Sequence, residues 1–179
     1  SDDDSSLDWK RYWEHSIAVG HITELLNEEL GTRFYDSPYS LGLLHDIGKL
    51  VLYRLDPKKY ESVHLLCNAG SISMLEAETQ EFGITHQQAG QWIAERWGLS
   101  EIVQVVNGNH HDLSQIQDNN LKLAGSLVQL ADYIANYIRM NFGYQKLRSD
   151  EDVPEAWELI KSHSKRAEEI EFSDFLLDL

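Results

Sequence analysis

Apolar residues recur three and four positions apart along almost the whole chain, and no segment keeps the strict alternation of a half-buried strand. The first predicted helix covers about 7–30, where Trp9, Trp13 and Ile17 recur at helical spacing. Gly31 follows as a suitable helix stop. This pattern predicts an all-α fold.

Proline and capping residues divide the rest of the chain into further helices. Pro38 opens a helix that we expect to run unbroken to about residue 56, because proline at the first turn loses no helical hydrogen bond. Capping boxes are predicted where a Ser or Thr is followed three residues later by Glu or Gln. The later helices are expected to begin at Pro57, Ser73, Thr85, Ser100, Leu121 and Pro154, and the helix from Leu121 reaches about residue 142.

The chain has 179 residues, and 42% of them are hydrophobic, which suffices for the core of one domain. We expect a single domain over 1–179, with 1–7 and roughly 144–179 at its periphery. The acidic start SDDDSS is typical of a linker or a cut end. The sequence is therefore expected to be a fragment of a longer protein.

The net charge of −15 excludes a partner bound through a nucleic-acid backbone, and it disfavours an acidic membrane surface. A phosphorylated small molecule or a nucleotide stays possible, since bound dications would reverse the local field. Cys67 is the only cysteine, so no intrachain disulfide can form. No apolar run is long enough to span a bilayer, and we expect a soluble, cytoplasmic protein.

Histidine and aspartate residues recur in a pattern that indicates a metal site. Imidazole nitrogens and carboxylate oxygens suit divalent transition metals, and the set exceeds the four ligands of one tetrahedral zinc. We predict two divalent ions, iron or manganese, which cobalt, nickel or zinc could replace. The predicted ligands are His15, His45, Asp46, His86, His110, His111 and Asp132.

Two residues of one predicted helix are expected to take part in chemistry. Asp46 and Lys49 are three positions apart and share a helix face, so a carboxylate and an ammonium can meet one site. Two metals need a bridging oxygen ligand, and Asp46 is the natural bridge. Lys49 could orient a water molecule, bind a phosphate oxygen, or only pair with a carboxylate.

The run YSLGLLHDIGKLVL, with an earlier histidine and a later aspartate, resembles the HD superfamily of metal-dependent phosphohydrolases. The resemblance places His15, His45, Asp46 and Asp132 in the first metal site of that superfamily. The resemblance is closer still to the HDOD branch, the HD-related output domains of bacterial signalling proteins. Three stretches carry it: the run quoted above, WEHSIAVGHITELL and EFGITHQQAGQWIAERWGLSEIVQVVNGNHH.

A second resemblance concerns HD proteins that hold two metals, such as the HD-GYP branch. His86, His110 and His111 correspond to the additional ligands of that branch. The residues after His111 read DLSQIQDNN, without a Gly-Tyr-Pro loop, so cleavage of cyclic di-GMP is not expected.

The resemblance implies a phosphohydrolase of bacterial signal transduction, which cleaves a phosphomonoester or phosphodiester with a water activated by two metals. Two alternatives stay open. The first is a non-catalytic, metal-binding signalling module that binds partner proteins. The second is an iron-dependent oxygenase with a di-iron site.

Several other conspicuous residues are assigned to structure or solvent. The remaining histidines, His21, His64 and His163, are not expected to be ligands. Helical spacing assigns Trp9, Trp13, Trp92 and Trp97 to core packing. The acidic residues Glu76, Glu78 and Glu81 are expected on a solvated helix face.

Overall fold

The computed structural model describes residues 8–32, 36–70, 72–138, 140, 155–169, 171, 172 and 174. These residues form ten α-helices and one 3₁₀ turn, with no strand among them, so the predicted all-α fold is confirmed. The helices are α1 (Trp9–Leu30), α2 (Pro38–Leu44), α3 (Ile47–Leu55), α4 (Pro57–Asn68), α5 (Met74–Phe82), α6 (His86–Arg96), α7 (Glu101–Asn109), α8 (Asn119–Tyr137), α9 (Glu155–Lys161) and α10 (Lys165–Glu168).

The predicted helix ends are found where capping chemistry specifies them. Ser73 with Glu76, and Thr85 with Gln88, form complete capping boxes at the starts of α5 and α6. Gly31 ends α1 with a φ of 66°, the left-handed conformation that glycine adopts without steric cost. These local signals fix the first turns of two helices that carry or orient functional residues.

The prediction of one unbroken helix from Pro38 to about residue 56 is wrong, because a turn at His45 and Asp46 separates α2 from α3. At this turn the main-chain bonds span three residues rather than four: His45 N donates to Gly42 O at 3.4 Å, and Lys49 N donates to Asp46 O at 2.9 Å. The hydroxyl of Tyr12 also donates to Asp46 O, at 3.4 Å. No proline marks the break, and polar contacts of Asp46 replace regular helical bonding.

The last part of the chain agrees partly with its predicted helices. The helix expected over about 121–142 is observed as α8, which begins at Asn119 and ends at Tyr137. Residues 139, 141 and 142 lie outside the described residues. The helix expected from Pro154 is observed as α9. Within the segment DLSQIQDNN, Leu113–Gln115 forms a 3₁₀ turn with Leu113 buried.

The main hydrophobic core lies among α1, α2, α7, α8 and α9, and α8 contributes the largest number of buried residues. Two smaller clusters lie around Tyr60 and Cys67 on α4. At the crossing of α3 and α6, a Cβ added to Gly48 would lie 1.8 Å from His86 O, so only glycine permits this backbone contact. No helix among the described residues is long and apolar enough to cross a membrane.

Three of the four tryptophans assigned to core packing are not in the core. Trp13, Trp92 and Trp97 are 48%, 53% and 59% exposed. Trp9 is partly buried and packs edge-to-face on Tyr53, with ring centroids 4.5 Å apart. Helical spacing identifies residues that share a face, but it does not say which face is covered.

Candidate metal centre

The structure brings all seven predicted ligands into one buried cluster at the meeting point of several helices. Five of the seven lie at helix ends or in the turns beside them. His15 lies within α1, His45 caps the C-terminus of α2, Asp46 lies in the following turn, His86 begins α6, His110 caps α7 with His111 behind it, and Asp132 lies within α8.

Asp46 lies at the centre of the cluster, and its two carboxylate oxygens face different histidines. Oδ2 is 3.7 Å from His15 Nε2 and 3.3 Å from His45 Nε2. Oδ1 is 3.4 Å from His86 Nε2 and 3.6 Å from His110 Nε2. The carboxylate therefore divides the cluster into two halves.

We call the first half, made of His15, His45, Asp132 and Asp46 Oδ2, the Asp132 half. Asp132 Oδ1 lies 3.2 Å from His15 Nε2 and 3.9 Å from His45 Nε2. The side chain of Asn136 donates to the same oxygen at 2.9 Å. The Asp132 side chain is therefore held in place by a residue of its own helix, α8.

We call the second half, made of His86, His110, His111 and Asp46 Oδ1, the His86 half. His86 Nε2 and His110 Nε2 are 3.4 Å apart. The ring of His111 lies 4.1 Å from that of His110 and 5.2 Å from that of His86, measured between centroids. Three imidazoles and one carboxylate oxygen thus meet at one point.

The hydrogen bonds of the imidazoles fix which nitrogen faces the cluster. Carbonyl and carboxylate oxygens only accept, so each Nδ1 bonded to one must carry the proton. When these imidazoles are neutral, the lone pair is on Nε2, the nitrogen that faces the centre of the cluster, as in metal-binding histidines. Nδ1 donates to Met140 O in His15 (2.7 Å), to Gly42 O in His45 (2.7 Å), to Asn107 O in His110 (3.1 Å) and to Glu78 in His86 (2.7 Å).

The prediction that Glu78 lies on a solvated face is wrong. Its carboxylate is fully buried and accepts hydrogen bonds from the main-chain N of His86, at 2.8 Å, and from its Nδ1. The turn at Gly83, with a φ of 75°, folds the chain back so that α5 meets the start of α6. Glu76 is exposed as predicted, and Glu81 is partly buried and accepts from Ser62.

The buried charges around the cluster do not balance. Among the described residues, three carboxylates are buried, those of Asp46, Glu78 and Asp132, against one buried ammonium, that of Lys49. Lys49 Nζ contacts Asp46 Oδ2 at 2.5 Å. Buried charge without a counter-charge is costly, so the site favours additional positive charge.

The pKa directions follow from these contacts. Burial would raise the pKa of Asp46, but the charges of His45 and Lys49 hold it well below its ordinary value. Burial likewise opposes ionisation of Asp132, and its hydrogen bond with His15 lowers the pKa. For His15, the pull of Asp132 outweighs burial and raises the pKa. The pKa of Lys49 is raised because Asp46 outweighs burial.

The donor atoms fit a metal. Asp46 Oδ1 and His45 Nε2 are buried with no hydrogen-bond partner among the described residues, so both are free to act as ligands. Two sets have ligand atoms that all lie within 4.8 Å of one another: Asp46, His86, His110 and His111 form one, and His15, His45 and Asp46 form the other. The three other histidines, His21, His64 and His163, belong to neither of these two sets.

A sequence profile of the HDOD domain matches residues 1–113. None of the curated protein sequences matches the chain. Among solved structures, an HDOD domain protein of unknown function from Geobacter sulfurreducens is 26% identical, with a TM-score of 0.77. The fold is also similar to that of a protein provisionally named a phosphohydrolase from Shewanella amazonensis (16% identity, TM-score 0.66) and of the MmoQ response regulator from Methylococcus capsulatus (19%, 0.65).

These three structures are longer than the present sequence. The alignments cover 97%, 97% and 96% of this chain, but only 59%, 60% and 62% of the respective relatives. The chain therefore spans about three fifths of their length. The profile match ends before Asp132, so it includes the whole His86 half and only part of the Asp132 half.

Proposed function

Since the chain belongs to the HDOD domain family, we propose that it is a metal-dependent phosphohydrolase that acts in bacterial signal transduction. The observation that carries this proposal is the position of Asp46, which offers one carboxylate oxygen to each of two ligand sets. A shared carboxylate is the usual bridge of a two-metal hydrolytic site. Two divalent ions, iron or manganese, are the proposed cofactors, and cobalt, nickel or zinc could replace them.

Each half would hold one ion. His15, His45 and Asp132 would bind the first, His86, His110 and His111 the second, and Asp46 both. When bound, such a pair supplies an activated water and neutralises charge on a phosphoryl group. Asp46 and Lys49 are the proposed catalytic residues: Asp46 fixes the distance between the halves, and Lys49 holds Asp46 Oδ2 in place.

The proposed substrate is a phosphomonoester or phosphodiester, such as a nucleotide. Five of the ligands have almost no exposed surface, so a substrate cannot reach them directly: His15, His45, Asp46, His86 and His110. His111 is partly exposed, and the side chain of Asp132 is 10% exposed. A phosphate group would therefore approach along the side that these two residues form.

The test is a turnover assay with defined metals. Protein loaded with Mn²⁺ or Fe²⁺ should hydrolyse p-nitrophenyl phosphate, its bis-ester, or a member of a nucleotide panel. His45→Gln should reduce turnover to background, because it removes a proposed ligand. His21→Gln, which changes an exposed histidine outside the cluster, should leave turnover unchanged. Turnover that persists in His45→Gln would refute the proposal.

One observation favours a second function, a non-catalytic signalling module that binds partner proteins. The cluster is almost sealed, with side-chain exposures of 0–2% for His15, His45 and Asp46, and a structural or sensing metal needs no open path to substrate. Similarity in fold to a response regulator is compatible with this role. Protein that binds its metals fully, yet hydrolyses none of the substrates, would support this alternative.

A further inference from the structure

His86 differs from the other histidines of the cluster in the partner of its Nδ1–H. His15, His45 and His110 donate to main-chain carbonyl groups, which are neutral. His86 donates to a carboxylate, that of Glu78, at 2.7 Å from Oε2 and 2.9 Å from Oε1. A charged acceptor makes a stronger hydrogen bond than a neutral one.

Glu78 accepts hydrogen bonds from both the main chain and the imidazole of one residue, His86. Its Oε2 also accepts from the main-chain N of His86, at 2.8 Å, which is one of the amide groups left unpaired at the start of α6. The side chain is fully buried between α5 and α6. Glu78 therefore fixes both the position of the His86 backbone and the direction of its imidazole.

The Asp132 half has a positively charged side chain beside its shared oxygen ligand. The ammonium of Lys49 contacts Asp46 Oδ2, the oxygen that faces the Asp132 half. A cation bound there has to share this oxygen with Lys49. Asp46 Oδ1, which faces the His86 half, has no hydrogen-bond partner in the part of the chain that the structure describes. The two halves thus differ in how freely they can bind a cation.

We propose that Glu78 is a positioning residue that makes the His86 half the tighter of two metal subsites, so that metal ions load in a fixed order. A carboxylate behind a ligand histidine fixes its tautomer and orientation and raises its basicity. Glu78 is not a ligand, because both of its oxygens bond to His86. The inference rests on the two-metal function proposed above.

The decisive variant is Glu78→Gln, which keeps the shape and one acceptor but removes the charge. Titration with Mn²⁺, followed by calorimetry and by the electron paramagnetic resonance signal of free Mn²⁺, should show two binding steps in the unaltered protein. In Glu78→Gln the tighter step should weaken by about 10–100-fold, the usual cost of losing such an outer partner. The weaker step should change by less than about twofold, as this contact does not reach the Asp132 half.

The matched control is Glu81→Gln, which makes the same charge change on the same helix. Glu81 accepts from Ser62 and has no contact with the cluster among the described residues, so both steps should be unchanged. Equal weakening of both steps in Glu78→Gln, or no weakening, would overturn the proposal. So would two steps of equal affinity in the unaltered protein.

A measurement on the unaltered protein covers the case in which Glu78→Gln does not fold. In histidine-selective ¹H–¹⁵N spectra without metal, His86 should carry its proton on Nδ1, and this proton should lie further downfield than that of His45. A proton on Nε2 would overturn the proposal. Neither experiment measures hydrolysis, so ordered binding without turnover would refute the proposed function and leave this inference standing.

Discussion

The two halves of the candidate metal centre share Asp46, but they are assembled over different distances along the chain. The His86 half comes from the segment 46–111 and depends on the backbone contact of α3 with α6 at Gly48. The Asp132 half joins α1 to α8, and the Nδ1–H of His15 also needs Met140 O. The His86 half is thus held by the packing of α3 against α6, whereas the Asp132 half is held by the packing of α1 against α8.

The largest expected effect is that of Asp46→Asn, which removes the charge that both halves share. Each occupied site should add about 2.7 kcal/mol to the free energy of unfolding when Mn²⁺ is at one hundred times its Kd, or about 5 kcal/mol for both. The variant should gain almost none of this. Thermal or denaturant unfolding with and without Mn²⁺ measures the gain. A variant that keeps half of it would show that the halves do not depend on a common ligand.

Asp132→Asn should affect one half only. The carboxylate that lies 3.2 Å from His15 Nε2 loses its charge, so the metal content should fall from two ions to one. The Mn²⁺-dependent stabilisation should fall by about 2.7 kcal/mol under the same conditions. Elemental analysis and the unfolding titration measure these changes.

A suitable control for that variant is Asp118→Asn on the same helix. Asp118 caps the N-terminus of α8 and accepts from the main-chain N of Asn120 and Leu121. Asparagine caps a helix equally well, so both metal content and stability should be unchanged. Loss of both ions in Asp132→Asn would contradict the division of the cluster into halves.

Gly48→Ala should disturb the other half through the backbone. The added Cβ would lie 1.8 Å from His86 O, so α6 has to move away from α3. We expect a loss of about 2 kcal/mol in stability, within the usual cost of overpacking, and weaker binding in the His86 half. Gly125→Ala is the control, because its Cβ would meet only the flexible ends of Leu113 and Ile116. Equal stability of the two variants would contradict the close contact.

The smallest predicted effect concerns His64, a histidine of α4 that belongs to neither half. Burial and the nearby charge of Lys49 lower its pKa to about 4, so the folded protein favours the neutral imidazole. The unfolded chain takes up a proton near pH 6.5, and stability should therefore fall as the pH drops from 6.5 towards 4. His64 should account for about 1 kcal/mol of the loss between pH 7 and pH 5.5.

The comparison with His64→Leu isolates this contribution, because acid also protonates the histidines of the cluster. Unfolding curves of both proteins at several pH values give the difference in slope. The variant should lose less stability on acidification than the unaltered protein. Identical slopes would show that the pKa of His64 is not lowered in the folded state.

The predictions that the structure confirms are those that depend on residues close together in the sequence. Capping boxes at Ser73 and Thr85 mark helix starts by residue type and spacing, and they are found in place. The family resemblance was carried by contiguous runs, and the matched profile covers them. His15 and Asp132 could be predicted as ligands by residue type and by that resemblance, but no local signal relates α1 to α8.

The errors share one physical cause, which is that burial depends on partners distant in the sequence. Glu78 lies in an acidic segment that is typical of a solvated helix face, but the turn at Gly83 places its side chain against His86. Trp97 has helical spacing, but at the C-terminal cap of α6 its side chain is 59% exposed. The break at His45 and Asp46 coincides with contacts of Asp46 with Tyr12 of α1 and His86 of α6, and no proline or capping motif indicates it.

The burial of the cluster has a kinetic consequence. With the side chains of His15, His45 and Asp46 at most 2% exposed, an ion bound between them could leave only along the narrow side formed by His111 and Asp132, or when a helix moves away. Its residence time would then depend on the rate of local opening rather than on its affinity. The metal found in purified protein would record which ion was abundant while the chain folded, and a chelator would remove it slowly unless mild denaturant hastened the opening.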